Sequence, residues 1–252
     1  METKIDYLDR CINIICGCTA RCAYCWARNR YAPRFAHRCK LCGQFKPHFH
    51  EERLKQIGKI NAPAIVGLNF MGDTWDKNVK RVWRNDIWNA ISPPLTINIP
   101  IKDQTQYIVL TKQPQNIKDF ALLKDDKPYE ADDVIPNNLW VGVSIESIDH
   151  IDRWIALSQK EYIAHKIISF EPFLTYYAID VFKYYFRIYG MPDWIILGAL
   201  TKSDKKSMAD SRKQSKRFLN YLLTIKDRPP IFVKDNCEIK GAPKEFPAEL
   251  KH

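Results

Sequence analysis

Short apolar runs with almost no polar alternation recur along the chain. They fall at Ala64–Phe70, Tyr107–Thr111, Leu139–Ser144, Lys166–Phe170, Trp194–Gly198 and Ile231–Lys234, and Cys11–Ile15 reads as a first run of the same kind. Runs this short and this continuous predict strands buried on both faces, as in a parallel sheet covered by helices. The stretches between them suit helices: Glu51–Ile60, Lys77–Ala90, Gln115–Leu123, Ile148–Gln159, Thr175–Tyr189 and Ser207–Thr224. Alternating strands and helices joined by right-handed crossovers wind into a full or partial barrel. The predicted fold is therefore α/β, a partial (β/α)6-7 TIM-like barrel with parallel strands. It spans residues 1–252 as one domain, with the last strand and a C-terminal segment in 226–252. Pro93–Pro94, Pro128–Pro136 and Arg228–Pro230 punctuate turns, and Asp125–Asp133 reads as a polar surface loop. Residues 31–50 are too rich in Cys, His, aromatic and basic residues for barrel wall and read as a small insertion.

Composition adds a compartment and a class of partner. Hydrophobic residues make up 46% and charged residues 27% of the 252, ordinary values for a globular protein. No apolar run approaches the ~18–20 residues of a membrane span, and Met1–Arg10 is polar and carries acids, unlike a signal peptide. The expectation is a cytoplasmic protein without a membrane partner. Net charge is +10 and uneven, with 12 Lys/Arg against 5 Asp/Glu in residues 1–60 and 7 against 2 in residues 201–220. Such surface favours polyanions, nucleic acid first among them, through phosphate contacts and counterion release. A solvated basic face with no partner is the other reading.

Cysteine carries the strongest chemical signal. Seven of the eight cysteines lie between Cys11 and Cys42. In a reducing compartment that density points to metal or redox chemistry rather than disulfides. Cys18, Cys22 and Cys25 are spaced C-x3-C-x2-C, which lets three thiolates bind three irons of a [4Fe-4S] cluster and leaves the fourth without a protein ligand. S-adenosylmethionine (SAM) chelates such an iron and is cleaved on reduction, so an electron donor is required. Zinc competes for the same residues. Cys22, Cys25, Cys39 and Cys42 form a four-cysteine zinc spacing that would orphan Cys18. Cys39, Cys42, His48 and His50 form C-x2-C-x5-H-x-H, a candidate second metal site suited to zinc, with His37, Cys11 and Cys16 as spare ligands. Buried free cysteines beside surface histidines are the alternative there.

An ordered series of segments carries a resemblance over nearly the whole chain: Asn13–Cys18, His50–Leu54, Asn69–Asp73, Leu110–Pro114, Trp140–Glu146, Ser169–Pro172, Asp193–Gly198 and Phe232–Lys234. Together they resemble the radical SAM superfamily near its spore photoproduct lyase-like branch, and a phage-associated radical SAM-like family of largely unassigned function. Tyr24, an aromatic before the third cysteine, matches a usual trait of the superfamily. The resemblance implies that Gly72 and Asp73, after the second strand, bind the SAM amino group, and that Ser144 and Glu146, ending the fourth, meet its ribose or carboxylate. Ser169 and Glu171 end the fifth strand, and Lys112 ends the third, where its ammonium would hold a phosphate or carboxylate of the substrate. Cys237, beyond the last strand, is placed where a lyase cysteine would return a hydrogen atom to a substrate radical. For each of these residues a helix cap, a helix start or an incidental thiol is the structural alternative. The chain departs from the family pattern at Gly198-Ala199-Leu200, where Gly-Gly-Glu is common, and in carrying the Cys39/Cys42 pair.

Around the cysteines, Arg28, Arg30, Tyr31, Arg34, Phe35, Arg38, Lys40, Phe45, Lys46 and Phe49 mix cations with rings, a combination that suits phosphates and unpaired bases. They serve equally as the packing face of an insertion. The expectation is a radical SAM enzyme acting on a nucleic acid or nucleotide. The rivals are such an enzyme acting on a peptide or small metabolite, a zinc-stabilised nucleic-acid-binding protein without catalysis, and a barrel that binds SAM without cleaving it.

Overall fold

A computed structural model describes residues 3–92, 100, 103–118, 135–174, 179–201 and 203–250. The apolar runs form strands where their pattern places them: β1 (Arg10–Ile12), β4 (Ile65–Leu68), β5 (Gln106–Thr111), β6 (Leu139–Ser144), β7 (His165–Phe170), β8 (Trp194–Leu197) and β9 (Ile231–Val233). They are hydrogen-bonded in the order β1-β4-β5-β6-β7-β8-β9. This is the topology of a partial (β/α) barrel of the TIM type, as the periodicity predicts. Every residue of β4, β6, β8 and β9 is buried, which explains the lack of polar alternation.

Contacts divide the chain into two compact units. The first is Met1–Trp140 with Tyr162–Ala164. In it β1 and β4 pair in parallel with Ile12 opposite Leu68, and β4 and β5 pair in parallel with Val66 opposite Tyr107. α3 (Arg81–Ile91) buries Ile87, Trp88 and Ile91 on one stripe, with Trp88 6.1 Å from Trp75.

The first strand departs from expectation. The run Cys11–Ile15 breaks at Asn13, and the chain leaves the sheet for a two-stranded antiparallel ribbon of β2 (Ile15–Cys16) and β3 (His48–Phe49). The break is stabilised by Asn69, which sits just past β4 in the left-handed region (φ 61°). Its Oδ1 accepts from the amides of Ile14 (3.0 Å) and Ile15 (2.8 Å), replacing sheet partners those buried groups would otherwise lack. The insertion itself is a π-helical turn (Ala27–Tyr31), α1 (Ala32–Phe35) and α2 (Lys40–Gly43). After β3, Glu51–Lys59 is a 3₁₀ helix rather than an α-helix.

The second unit is Val141–Glu161 with His165–Lys251. β7, β8 and β9 pair in parallel with Ile168 opposite Ile195 and Ile196 opposite Phe232. The helix expected over Ile148–Gln159 begins as a 3₁₀ turn and continues as α4 (Asp152–Ser158). α5 (Ile179–Tyr189) and α6 (Lys205–Leu222) complete the unit. α6 starts at Asp204, whose carboxylate accepts from Ser207 N (2.9 Å), and buries Ser211, Ser215, Phe218, Leu219 and Leu222 on one stripe. Phe170, Phe182 and Phe218 meet at ring distances of 4.7–5.3 Å.

Pro114–Asn116 forms only a 3₁₀ turn of the helix expected at Gln115–Leu123. Residues 119–123 of that helix, the start of the expected Thr175–Tyr189 helix, Pro93–Pro94 and the loop at Asp125–Asp133 lie outside the described residues. Among the described residues no helix is long and apolar enough to cross a membrane.

Candidate functional site

Two cysteine-bearing structures meet at the β2–β3 ribbon. In the first, Cys39 caps the single turn of α2, its Sγ accepting from the Cys42 amide (3.4 Å), so that both sulfurs point the same way. Phe45 ends the turn in the left-handed region (φ 53°), and the chain enters β3. His48 and His50 are two residues apart on extended chain and therefore share a face. Their Nε2 atoms lie 2.8 Å apart. Cys42 Sγ is 3.3 Å from His48 Nε2 and 3.2 Å from His50 Nε2, and Cys39 Sγ is 3.5 Å from His48 Nε2. All four donor atoms fall within 4.8 Å of one another, and Cys42, His48 and His50 are buried. Such a group can hold a metal ion. Burial pushes the Cys42 thiol up to about 12, with the neighbouring thiols Cys16 and Cys39 adding to it. Among the described residues this is the only set of Cys, His or acidic donors so gathered. The alternative spacing that paired Cys39 and Cys42 with Cys22 and Cys25 is not the one brought together, because β3 delivers two imidazoles to the first pair.

The second structure is the loop from Cys18 to Cys25, leaving β2 through Gly17. Gly17 adopts φ +86°, and a Cβ there would lie 2.2 Å from the Lys46 carbonyl oxygen, so only glycine fits. Gly17 N donates to Met71 O (2.9 Å) and Cys18 N to Phe45 O (3.3 Å). Asp76 anchors the next residue: its Oδ2 accepts from Thr19 N and Thr19 Oγ1, both at 2.6 Å, and from Gln113 Nε2 at 3.1 Å. Cys18, Cys22 and Cys25 are free thiols, each partly exposed. Backbone amides point at two of the sulfurs, Ala20 N at Cys18 (3.3 Å) and Arg28 N at Cys25 (3.4 Å). Burial pushes the Cys18 thiol up to about 12, reinforced by the charges of Asp73, Asp76 and Cys22 and opposed by the Ala20 amide.

The carboxyl ends of β1, β4 and β5 lie side by side in the first unit and carry several of the predicted residues. Gly72 packs against Gly17, where a Cβ would lie 2.9 Å from the Gly17 and Ile15 oxygens. Asp73 is buried and accepts from Thr111 Oγ1 (2.6 Å), Lys112 N (3.0 Å) and Trp75 N (3.0 Å). Burial raises its carboxyl above the ordinary value against those three donors. Lys112 Nζ donates to Tyr24 Oη (2.8 Å) and lies 5.1 Å from that ring's centroid.

The second unit holds the others. Ser144 and Glu146 are buried, and Arg153 donates to Ser144 O (2.6 Å) and Glu146 Oε2 (2.5 Å). Ser169 is buried, and its hydroxyl has no hydrogen-bond partner among the described residues. Glu171 Oε1 accepts from Lys234 Nζ (2.5 Å) and fills the space above Gly198, where a Cβ would come within 2.7 Å of its carboxyl carbon. Cys237 is 2% exposed, with its thiol against Leu197 O (3.7 Å), and burial pushes it up to about 11. Of the basic and aromatic set, Arg30, Tyr31, Arg34, Arg38, Lys40 and Lys46 are exposed, and Arg34 sits 5.5 Å from the Tyr31 ring. Phe45 is buried and Phe49 stacks on Trp83 (5.8 Å), so the protein uses both rings itself.

Sequence reasoning assigned no role to Asn13, Arg53, Asn69 or Asp76. Asn13 Oδ1 accepts from Met71 N (2.8 Å), and Arg53 donates to Asn13 O (2.5 Å) and Cys16 Sγ (3.3 Å). A polar residue straight after a wholly apolar strand, as at Asn69, is the signal that could have exposed one of them.

The chain is thus a parallel α/β protein whose first unit carries a Cys₂His₂ group that could hold a metal ion. The chain belongs to the family described as protein of unknown function (DUF5131), which it matches over residues 2–217. No curated protein and no solved structure matches it.

Proposed function

We propose that the protein is a cytoplasmic radical SAM enzyme whose [4Fe-4S] cluster is bound by Cys18, Cys22 and Cys25. The observation that carries this reading is one short loop bearing three free thiols at the strand ends. Among the described residues the three sulfurs are not themselves gathered into a metal-holding group, and Cys39 and Cys42 are engaged by His48 and His50 rather than by this loop. The donor set fits the cluster. Thiolates are soft ligands suited to iron–sulfur centres. Amide N–H groups aimed at sulfur stabilise thiolate charge.

Bound by these three thiolates, a cluster with one iron free of protein sulfur would supply SAM with the one-electron reduction that this chemistry requires. The chain's own residues position and shield that chemistry. Asp76 and Phe45 O hold the entrance of the loop, and Asp73, past the end of β4, ties it to Thr111 at the end of β5 and to Lys112 just beyond. Lys112 fixes the Tyr24 hydroxyl and brings its ammonium to the loop. The exposed Arg30, Tyr31, Arg34, Arg38 and Lys40 support a nucleic-acid or nucleotide substrate. An electron donor completes the set of partners.

Anaerobic reconstitution tests the reading. The expected result is a brown protein with about four irons per chain, as for a cubane cluster, and 5′-deoxyadenosine on reduction with SAM. Both should be lost in Cys18→Ser. Iron content that Cys18→Ser leaves unchanged would refute it. A colourless chain that binds only zinc and single-stranded nucleic acid would favour the non-catalytic rival, which the Cys₂His₂ group and the exposed basic face support.

A further inference from the structure

We infer that Cys39, Cys42, His48 and His50 form a closed zinc site whose task is to hold the ribbon and the shelf on which Cys18 rests. Zinc bound by sulfur at ~2.3 Å and nitrogen at ~2.0–2.1 Å in a tetrahedron gives S···N edges of about 3.5 Å and N···N edges of about 3.3 Å. Three of the four S···N separations are 3.2, 3.3 and 3.5 Å, with the two nitrogens somewhat closer at 2.8 Å.

The outer nitrogens decide the tautomers. His48 Nδ1 faces the Lys46 carbonyl at 2.7 Å, and His50 Nδ1 faces Glu52 Oε1 at 2.9 Å. A carbonyl and a carboxylate accept only, so each Nδ1 carries the proton and each Nε2 turns a bare lone pair inward. Two lone pairs at 2.8 Å beside two sulfurs repel unless a cation lies between them. Outward hydrogen bonds from metal-bound imidazoles to a carbonyl and a carboxylate are the usual support of such ligands. Thiolate with imidazole selects zinc over magnesium or calcium, and four protein donors in a mostly buried group leave no open position for catalysis.

The ligands come from α2 and its cap and from β3 and the residue after it, and what lies between and beside them touches the three-cysteine loop. His48 pairs with Cys16 across the ribbon. Phe45, between the ligand pairs, accepts from Cys18 N through its carbonyl (3.3 Å) and packs its ring with Ala27 and Ala32 against Cys18 and Cys25. Lys46 O covers Gly17. A metal that fixes residues 39–50 therefore fixes the backbone on which the loop begins. Zinc binding stands without the proposed enzyme; its value to an iron cluster rests on that reading.

Metal analysis of the full chain, purified without added iron and passed through EDTA, is expected to find about one zinc per chain, as one such site would hold. Cys39→Ser/Cys42→Ser should lose at least nine-tenths of it, and cobalt in its place should show the visible bands of a tetrahedral thiolate site. His50→Cys, which keeps four donors, should retain zinc, so that loss of metal is separable from loss of fold. Stripping zinc from the iron-free wild-type chain should speed hydrogen exchange at the Cys18 amide by ~10-fold or more, a local opening rather than global unfolding. A double variant that keeps its zinc, or a wild-type chain that holds none, overturns the site. Zinc bound with Cys18 exchange unchanged by its removal overturns the coupling. A chain that binds zinc and never takes up iron leaves this site standing and removes the proposed enzyme instead.

Discussion

Asp76 is the anchor of the three-cysteine loop, and its removal should be costly. The side chain is buried and accepts four hydrogen bonds: three converge on Oδ2 from Thr19 N, Thr19 Oγ1 and Gln113 Nε2, and one reaches Oδ1 from Asn78 N (3.0 Å). Hydrogen bonds to a charged group contribute about 1.5–3 kcal/mol each and do not add. Asp76→Ala, which leaves several part-buried donors without their acceptor, should cost ~2–4 kcal/mol, against a total stability of only ~5–15 kcal/mol. Asp76→Asn offers a finer test. With its carbonyl turned to the Oδ2 side it keeps three bonds and sets its amide against the Asn78 N–H, for a loss of ~1–2 kcal/mol. Acid removes the same contribution. Burial works to raise the Asp76 carboxyl, but the bonds from Thr19, Asn78 and Gln113 outweigh it and hold the group below the ordinary 3.8. A depressed acid stabilises the fold fully above its unfolded value and loses that contribution as pH falls from there through the folded value. The gap between the parent and Asp76→Asn should therefore narrow on acidification below about pH 4. Urea denaturation should be followed by circular dichroism together with thiol reagent access to Cys18, Cys22 and Cys25. An Ala variant within ~0.5 kcal/mol of the parent, the range of ordinary surface changes, would refute the anchoring role.

Gly17→Ala should be among the most damaging single changes. It imposes left-handed strain of ~1–2 kcal/mol and drives a methyl into Lys46 O, so the ribbon must part, as loss of ribbon amide protection in hydrogen exchange would report. Glu52→Gln should keep the fold and weaken metal binding by ~10–100-fold, the usual effect of an outer-shell change, measured by competition with a chromophoric chelator. Lys234→Met removes the ammonium that donates to the Glu171 carboxylate and should cost about 1–2 kcal/mol in urea denaturation, whereas Lys234→Arg should recover most of it. Cys237→Ala removes a buried thiol bonded to Leu197 O; a cost of ~1–2 kcal/mol in denaturation with unchanged product distribution would assign it to packing alone.

The apolar periodicity was enough to place the parallel strands and most helices, because burial on both faces is written locally, in runs that lack polar alternation. The C-x3-C-x2-C and C-x2-C spacings were legible for the same reason, since a loop of a few residues limits where its thiols point. Which donors share a metal was not local. Cys39 and Cys42 are as well spaced for Cys22 and Cys25 as for His48 and His50, and the choice falls to the histidines because the chain leaves the sheet at Asn13 and pairs β2 with β3. That departure depends on Asn69, more than fifty residues away in sequence, supplying acceptors to Ile14 and Ile15. Asp76 likewise meets Thr19 only because β1 and β4 lie side by side. Hydrophobic pattern and short spacing are properties of the chain by itself; the convergence of distant polar groups exists only once strand pairing has brought their backbones together.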